Sequence, residues 1–192
     1  MRKLTVDDIS DLRAYERERD AFRSHVIGLK RRRRFALGPF LTIVFENTDT
    51  MRFQVQEMAR AERMLTDAEI AYEVDTYNDL VPGDGELSGT LFVEITDPAA
   101  LREWLPKLVG LQRHVHLEVA GERATAREVD EERLTRESEL TSTVHYLRFA
   151  LAPSQQAGFL AGPVRLVVDH PAYAAVVDLD ADARAELARD LA

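Results

Sequence analysis

Three potential metal ligands, His114, His116 and Glu118, occupy alternate positions in one short segment of the chain. On a β-strand, side chains at alternate positions project from one face, so two imidazoles and a carboxylate would lie side by side. That ligand set suits zinc, iron or manganese. The same pattern also fits the polar, solvated face of a half-buried strand whose other side chains form the core. A metal-dependent enzyme is therefore one hypothesis that the sequence supports.

The most basic run in the chain is a second candidate site and consists of Lys30, Arg31, Arg32, Arg33 and Arg34. Such a run could hold the phosphate groups of a nucleic acid or a nucleotide. Cations are also favoured at a helix C-terminus, and five successive residues cover more than one helical turn and cannot all face one ligand. The formal net charge of −9 further opposes nucleic-acid binding. A helix end or a contact with a protein partner is the favoured interpretation, with nucleic-acid binding as the alternative.

A third candidate is a group of polar residues, Gln54, Gln56, Glu57, Arg60 and Glu62. The sequence pattern predicts that this group crosses from a strand into a helix. A polar cluster at such a junction could form the wall of a small-molecule pocket. The alternative is a solvent-exposed helix that carries ion pairs such as Glu57 with Arg60.

Several kinds of chemistry are excluded by what the sequence lacks. There is no cysteine, which removes disulfides, thiolate catalysis, cysteine-type zinc sites and thiolate-bound iron–sulfur clusters. No G-x-S-x-G, P-loop or G-x-G-x-x-G motif occurs. The run Asp169-His170-Pro171 could orient an imidazole, but it is also typical of a hairpin turn. No catalytic residue is assigned, no cofactor is predicted, and a non-catalytic ligand-binding or accessory protein is the leading hypothesis.

The elements that must position these residues follow from caps and periodicity. A first helix is predicted over residues 5–34, and because it is longer than a small domain needs, it favours a homodimer formed through this helix. Residues 40–46 and 51–56 predict a β-hairpin, and polar and apolar residues alternate in the second segment. Further helices are predicted to begin at the caps Thr66 and Asp97.

The mixture of helices and hairpins predicts an α+β fold with mostly antiparallel sheets, a long N-terminal helix and a small C-terminal β-α-β-β-α unit. The predicted organisation is a main α+β domain over residues 1–130, a charged connection over 131–142, and a C-terminal α+β subdomain over 143–192 packed on the main domain. No secretion signal and no apolar run of membrane length are visible, so the predicted location is the cytoplasm.

Segments along the whole chain resemble one uncharacterised bacterial family, the domain of unknown function 3501. The similar segments are residues 2–5, 15–16, 30–34, 44–47, 49–50, 53–58, 60–63, 76–78, 86–94, 144–149 and 169–171. The resemblance implies no established activity. Through the rubrerythrin-like and iron–sulfur proteins whose genes accompany this family, it implies an accessory role, and a protein partner, in peroxide or iron-linked redox metabolism. Because the chain has no cysteine, it cannot itself carry a thiolate-bound iron–sulfur cluster.

Overall fold

The computed structural model describes residues 1–129 and 140–191. Its helices and strands, in chain order, are α1 (Leu12–Arg32), β1 (Arg34–Leu37), β2 (Leu41–Glu46), α2 (Thr48–Glu62), α3 (Asp67–Asn78), β3 (Glu86–Val93), α4 (Pro98–Lys107), β4 (Val115–Val119), β5 (Glu122–Thr125), β6 (Arg127–Glu128), β7 (Val144–Ala150), α5 (Pro153–Gly158), β8 (Val164–His170), β9 (Tyr173–Asp178) and α6 (Ala181–Ala188). The predicted α+β class with a long N-terminal helix is confirmed.

The strands form two antiparallel sheets that share one hydrophobic core. One sheet has the strand order β1-β2-β3-β7-β6 and the other has the order β5-β4-β8-β9. Ile43 and Leu91 of the first sheet and Leu117 and Leu166 of the second are fully buried in the same cluster. Because every second side chain of a strand points the same way, each sheet presents one apolar face to this core. The chain passes from the second sheet to the first between β5 and β6, at Ala126.

The outer face of the five-stranded sheet is covered by helices. Thr42, Val44, Glu46, Ser88 and Thr90 point away from the shared core, yet all five are buried. Helix α1 packs on both β2 and α2, and α2 packs on α3. These helices therefore form a layer over this sheet. No helix in the described part of the chain is long and apolar enough to cross a membrane.

The C-terminal segment has the predicted element order, as β7, α5, β8, β9 and α6. Strand β7 pairs with β3, and β8 pairs with β4. Strands from this segment therefore complete both sheets. The division into domains at residues 130 and 143 stays a prediction. Of the predicted charged connection over 131–142, residues 131–139 lie outside the described residues.

The predicted hairpin of residues 40–46 and 51–56 is wrong in its second strand, which is part of α2. Asn47 is the N-cap of that helix. Its side chain accepts a hydrogen bond from the Thr50 amide at 3.0 Å, and the Thr50 hydroxyl accepts one from the Asn47 amide at 2.9 Å. This reciprocal cap satisfies amides that a helix start would otherwise leave without partners, so the chain turns into a helix here and not into a hairpin.

The wrong strand was predicted from the alternation of apolar and polar residues over 51–56, but the apolar positions in this region also fit a helix. Met51, Val55 and Ala59 are buried at a spacing of four residues, which is one stripe of a helix. The hairpin that β2 does form is with β1, on the other side of the Gly38-Pro39 turn, and its other neighbour in the sheet is β3. Gly38 has a φ of 75°, in the left-handed region that glycine adopts without steric cost.

The first helix is shorter than the predicted span of residues 5–34. Thr5 and Asp8 do form the expected cap, but it closes only a short 3-10 turn over Val6–Asp8. Helix α1 then begins after Asp11, whose side chain accepts a hydrogen bond from the Ala14 amide. Arg34, predicted as the end of the helix, is the first residue of β1.

Candidate functional site

The polar residues predicted to line a pocket at a strand–helix junction all lie on α2, namely Gln54, Gln56, Glu57, Arg60 and Glu62. Two of them fasten α2 to the N-terminal segment. The fully buried Gln56 side chain accepts from the Ser10 amide at 2.9 Å and donates to the Ser10 carbonyl at 2.8 Å. Glu57 accepts hydrogen bonds from the Tyr15 hydroxyl and from two nitrogens of Arg19. The Arg19 guanidinium lowers the pKa of the Glu57 carboxyl.

Arg60 borders a cavity. It forms an ion pair with Glu16 at 2.6 Å and lies beside a shallow depression of about 500 Å³. Gln54 lies close to Tyr77 of α3. Most members of the group therefore contact neighbouring segments of the chain and hold α2 in place.

The centre of the basic run is buried in the protein. Arg33 is fully buried, and its Nε donates to the Phe45 carbonyl at 2.9 Å. Its guanidinium pairs with Glu186 and Asp190 at the C-terminal end of the chain, and Arg32 also pairs with Glu186, at 3.0 Å. Burial raises the pKa of the Asp190 carboxyl, and the neighbouring Arg33 charge opposes that shift. This cluster ties the end of α1 to α6.

The other members of the basic run lie near the surface, and two of them are paired as well. Lys30 lies 3.7 Å from the Glu46 carboxylate, and Arg34 pairs with Glu94. Within the described ranges, Arg31 alone of the five has no ion pair. Most of the positive charge in this run is therefore neutralised inside the chain.

The two histidines of the predicted metal set converge on Asp169. Its Oδ1 lies 3.2 Å from His114 Nδ1 and 2.8 Å from His116 Nε2. Its Oδ2 accepts a hydrogen bond from Arg123 at 2.6 Å. The hydrogen bond with His116, followed by those from Arg123 and His114, lowers the pKa of Asp169 to about 2.

Glu118, the third member of the predicted set, is engaged by arginines. It accepts from Arg123 at 2.8 Å and from Arg165 at 2.7 Å. The Arg123 hydrogen bond contributes most to lowering the pKa of Glu118. The outer face of the four-stranded sheet therefore carries a closed network in which each carboxylate already has cationic partners.

Two details of this face differ from the sequence expectation. The strand begins at Val115, so His114 lies in a 3-10 turn. His116 is buried, where a solvated position was expected. In residues 1–129 and 140–191, no group of three or more histidine or acidic side chains is placed to hold a metal ion. A metal bound by His114, His116 and Glu118 stays a prediction.

A cavity that the sequence did not indicate lies where the edge of the five-stranded sheet meets the end of α3. Its volume is about 570 Å³, and we call it the edge cavity. It is lined by Asp79, Glu86, Arg127, Glu128, Val129, Arg148 and Ala150. Arg127 of the edge strand β6 lies directly opposite Arg148 of β7. Like charges in this arrangement repel one another unless something neutralises them.

The two arginines of the edge cavity are incompletely paired. Arg148 donates to the Asp79 carbonyl, but its Nε is buried without a hydrogen-bond acceptor and lies 3.5 Å from Glu86. Arg127 forms no ion pair and no side-chain hydrogen bond with any described residue. Burial, followed by the nearby Arg148 charge, lowers the pKa of Lys3 at the same end of the sheet. Among the described residues, Arg127 is therefore a cation without an ion pair, and Arg148 has only the long contact with Glu86.

Buried polar atoms without hydrogen-bond partners lie in a row across the sheet that begins at Arg148. Glu46, Ser88 and Arg148 are neighbours across β2, β3 and β7 on the helix-covered face. Each contributes one buried side-chain atom that has no hydrogen-bond partner in the described part of the protein: Oε2, Oγ and Nε. Buried polar atoms without partners are rare in native proteins, and such atoms often mark a place for a water or a ligand.

Strand β6 is held in place by a buried chain of hydrogen bonds. Glu128 Oε1 lies 2.8 Å from His145 Nδ1, and His145 Nε2 lies 3.0 Å from the Thr141 hydroxyl. The side chains of Glu128 and His145 are 1% and 4% exposed. This anchor fixes the residue that follows Arg127, and so it positions Arg127 at the edge cavity.

The sequence offered no local signal for the edge cavity. Arg127 and Arg148 are far apart in the chain, and only the pairing of β6 with β7 brings them together. An arginine at corresponding positions of two paired strands could have been recognised only with the strand register already known.

The chain was compared with protein families, curated proteins and solved structures. The model of the family described as protein of unknown function (DUF3501) matches residues 3–191. The chain belongs to the DUF3501 family. The resemblance seen in the sequence is thereby confirmed.

One solved relative extends over the whole of this DUF3501 protein. It is a crystal structure at 1.90 Å resolution of a novel protein of unknown function from Burkholderia pseudomallei K96243. The two chains are 35% identical, the match covers 100% of each, and the TM-score is 0.92. No curated protein matches the chain. The comparisons therefore establish the family and its fold, and the function of this family member has to be argued from its own residues.

Proposed function

We propose that this DUF3501 protein is a non-catalytic ligand-binding protein that takes up a small acidic molecule in the edge cavity. The observation that carries the proposal is the pair of arginines, Arg127 and Arg148, which lie opposite each other with unused hydrogen-bonding capacity. A carboxylate or phosphate between them would relieve their repulsion. It would also supply acceptors for Arg127 and for Arg148 Nε, which have none among the described residues.

The size and position of the cavity agree with this proposal. Sites for small molecules commonly enclose about 300–1,000 Å³, and the edge cavity has a volume of about 570 Å³. Val129 and Ala150 add apolar surface beside the charged groups. Since β6 is an edge strand of only two residues, a ligand can approach the arginines from the side of the sheet.

Titration calorimetry with glutarate and with inorganic phosphate tests the proposal. We expect the wild-type protein to bind at least one of the two, and Arg127→Gln to weaken that binding by about tenfold or more, because a charge-assisted hydrogen bond is lost. Arg23→Gln is the matched control. It removes the same charge from an exposed position on α1 and should leave the affinity unchanged. Equal affinities of the Arg127 and Arg23 variants would contradict the proposal.

The accessory role in peroxide or iron-linked redox metabolism is a broader proposal that rests on the family resemblance. It predicts that the protein purified from its native host is accompanied by a redox or iron protein. Mass spectrometry of the purified material checks this, and the absence of such a protein at reduced salt would count against it.

A homodimer formed through α1 and a cytoplasmic location are proposals of the same kind. α1 exposes the large apolar side chain of Ile27, which is 44% accessible in the single chain. Light scattering coupled to size-exclusion chromatography of the wild type and of Ile27→Glu tests the dimer. A monomeric wild-type protein would rule it out.

A further inference from the structure

The edge cavity has charges of both signs on its walls. Arg127 and Arg148 provide positive charge from the strands. Asp79, immediately after α3, provides an exposed carboxylate that has no ion pair or side-chain hydrogen bond with the described residues. Glu86 adds a second carboxylate, which accepts a hydrogen bond from the Gly83 amide at 3.1 Å. A ligand in this cavity therefore meets cationic and anionic groups together.

The C-terminal end of α3 strengthens the negative side of the cavity. Lys3 Nζ donates to the Asn78 carbonyl at 2.5 Å and to the Val81 carbonyl at 2.8 Å. Arg148 donates to the Asp79 carbonyl next to them. Carbonyl groups at the end of a helix carry the negative end of its dipole and favour cations. Two cations of the chain already bind here, which indicates that this end of the cavity attracts positive charge.

We infer that the ligand of the edge cavity carries a cationic amino group in addition to its acidic groups, as an acidic amino acid does. This inference rests on the proposed function and specifies the class of ligand. The acidic end of the ligand lies against Arg127 and Arg148, and the amino group lies towards Asp79. The lining also includes the Glu128 carboxylate, which is buried and hydrogen-bonded to His145, so Asp79 and Glu86 are the two acidic side chains left to meet a cationic group of the ligand.

A matched pair of ligands tests the inference by titration calorimetry. Glutarate and L-glutamate share the carbon chain and both carboxylates, and differ in the amino group. We expect wild-type protein to bind L-glutamate about threefold or more tightly than glutarate, since one further ion pair forms near the surface. Asp79→Asn should weaken L-glutamate binding and leave glutarate binding equal or stronger, because the removed charge repels a carboxylate. Asp75→Asn, an exposed carboxylate on α3 outside the cavity, should preserve the preference.

The outcomes separate this inference from the proposed function. Equal affinities of the two ligands for wild-type protein, or a preference that survives Asp79→Asn, would overturn the amino-group inference and leave binding of acids intact. If the wild type binds inorganic phosphate but neither glutarate nor L-glutamate, the inference fails and the proposed function stands; if none of the three binds, both fail.

Discussion

The basic run that ends α1 and the arginine pair of the edge cavity use their charge in opposite ways. In the run, Arg33 is fully buried and forms ion pairs with Glu186 of α6 and with Asp190, which follows that helix. In the cavity, Arg127 has no ionic partner in the described residues, and Arg148 has a buried Nε without an acceptor. Most cations of the first region are paired, whereas the second region keeps one arginine without an ion pair among the described residues and one that is only partly paired.

The contrast shows that local charge density in a sequence is a poor guide to a binding surface. Five consecutive cations are conspicuous, but their partners Glu46, Glu94 and Glu186 come from distant parts of the chain and use up most of their charge. Two isolated arginines are inconspicuous, and strand pairing alone places them side by side. Whether a group of cations is available to a ligand depends on whether the folded chain already supplies them with ion-pair partners.

Replacing the buried arginine should have the largest effect on stability. Arg33→Met removes the cation and leaves Glu186 and Asp190 buried without it, so we expect the free energy of unfolding at neutral pH to fall by about 3–5 kcal/mol. Arg31→Ala, at the exposed position two residues earlier, should change it by less than about 0.5 kcal/mol. Urea denaturation measures both. Similar losses for the two variants would show that the buried cluster does not anchor α6.

The network on the four-stranded sheet should give a smaller, pH-dependent effect. The pKa of Asp169 is lowered from an ordinary value of 3.8 to about 2, so its ionised form is favoured by folding. Its contribution is fully present above pH 3.8 and is lost as the pH falls through about 2. Because the side chain is 41% exposed, we expect only about 0.5–1 kcal/mol after solvent screening.

Asp169→Asn removes this contribution, so the variant should lose less stability than the wild type between pH 4 and pH 2. Denaturation midpoints across that range check the prediction. Asp75→Asn, an exposed carboxylate without an ion pair in the described residues, should follow the wild-type curve. An Asp169→Asn curve that is parallel to the wild type throughout would contradict the network's role.

The smallest expected effect is an increase in stability, where the preceding variants lose stability or its pH dependence. Without ligand, Arg127 repels Arg148 across β6 and β7, so Arg127→Gln should raise the free energy of unfolding of the empty protein by about 0.2–0.5 kcal/mol. Thermal denaturation in a buffer that contains no carboxylate, phosphate or zwitterion measures this. A clear loss of stability would mean that Arg127 has a structural role and would weaken its assignment to ligand binding.

Much of the architecture could be predicted because its signals are local. The caps Thr66 and Asp97 each begin a helix as expected, since a side chain three residues or fewer from the amide it satisfies acts without tertiary context. The second strand of the predicted hairpin failed because Met51 and Val55 fit both a strand and a helix, and the Asn47 cap decided between them. The edge cavity could not be predicted, since it depends on strand register.

The central claim is that Arg127 and Arg148 are available for a ligand, whereas Arg33 is not. Side-chain Nε–H resonances of arginine, assigned by single substitutions in the intact protein, test this directly during a titration with L-glutamate. We predict that the Arg148 and Arg127 signals shift together and saturate, while the Arg33 and Arg123 signals stay in place. Saturable shifts confined to arginines outside the edge cavity, or none at all, would contradict the account.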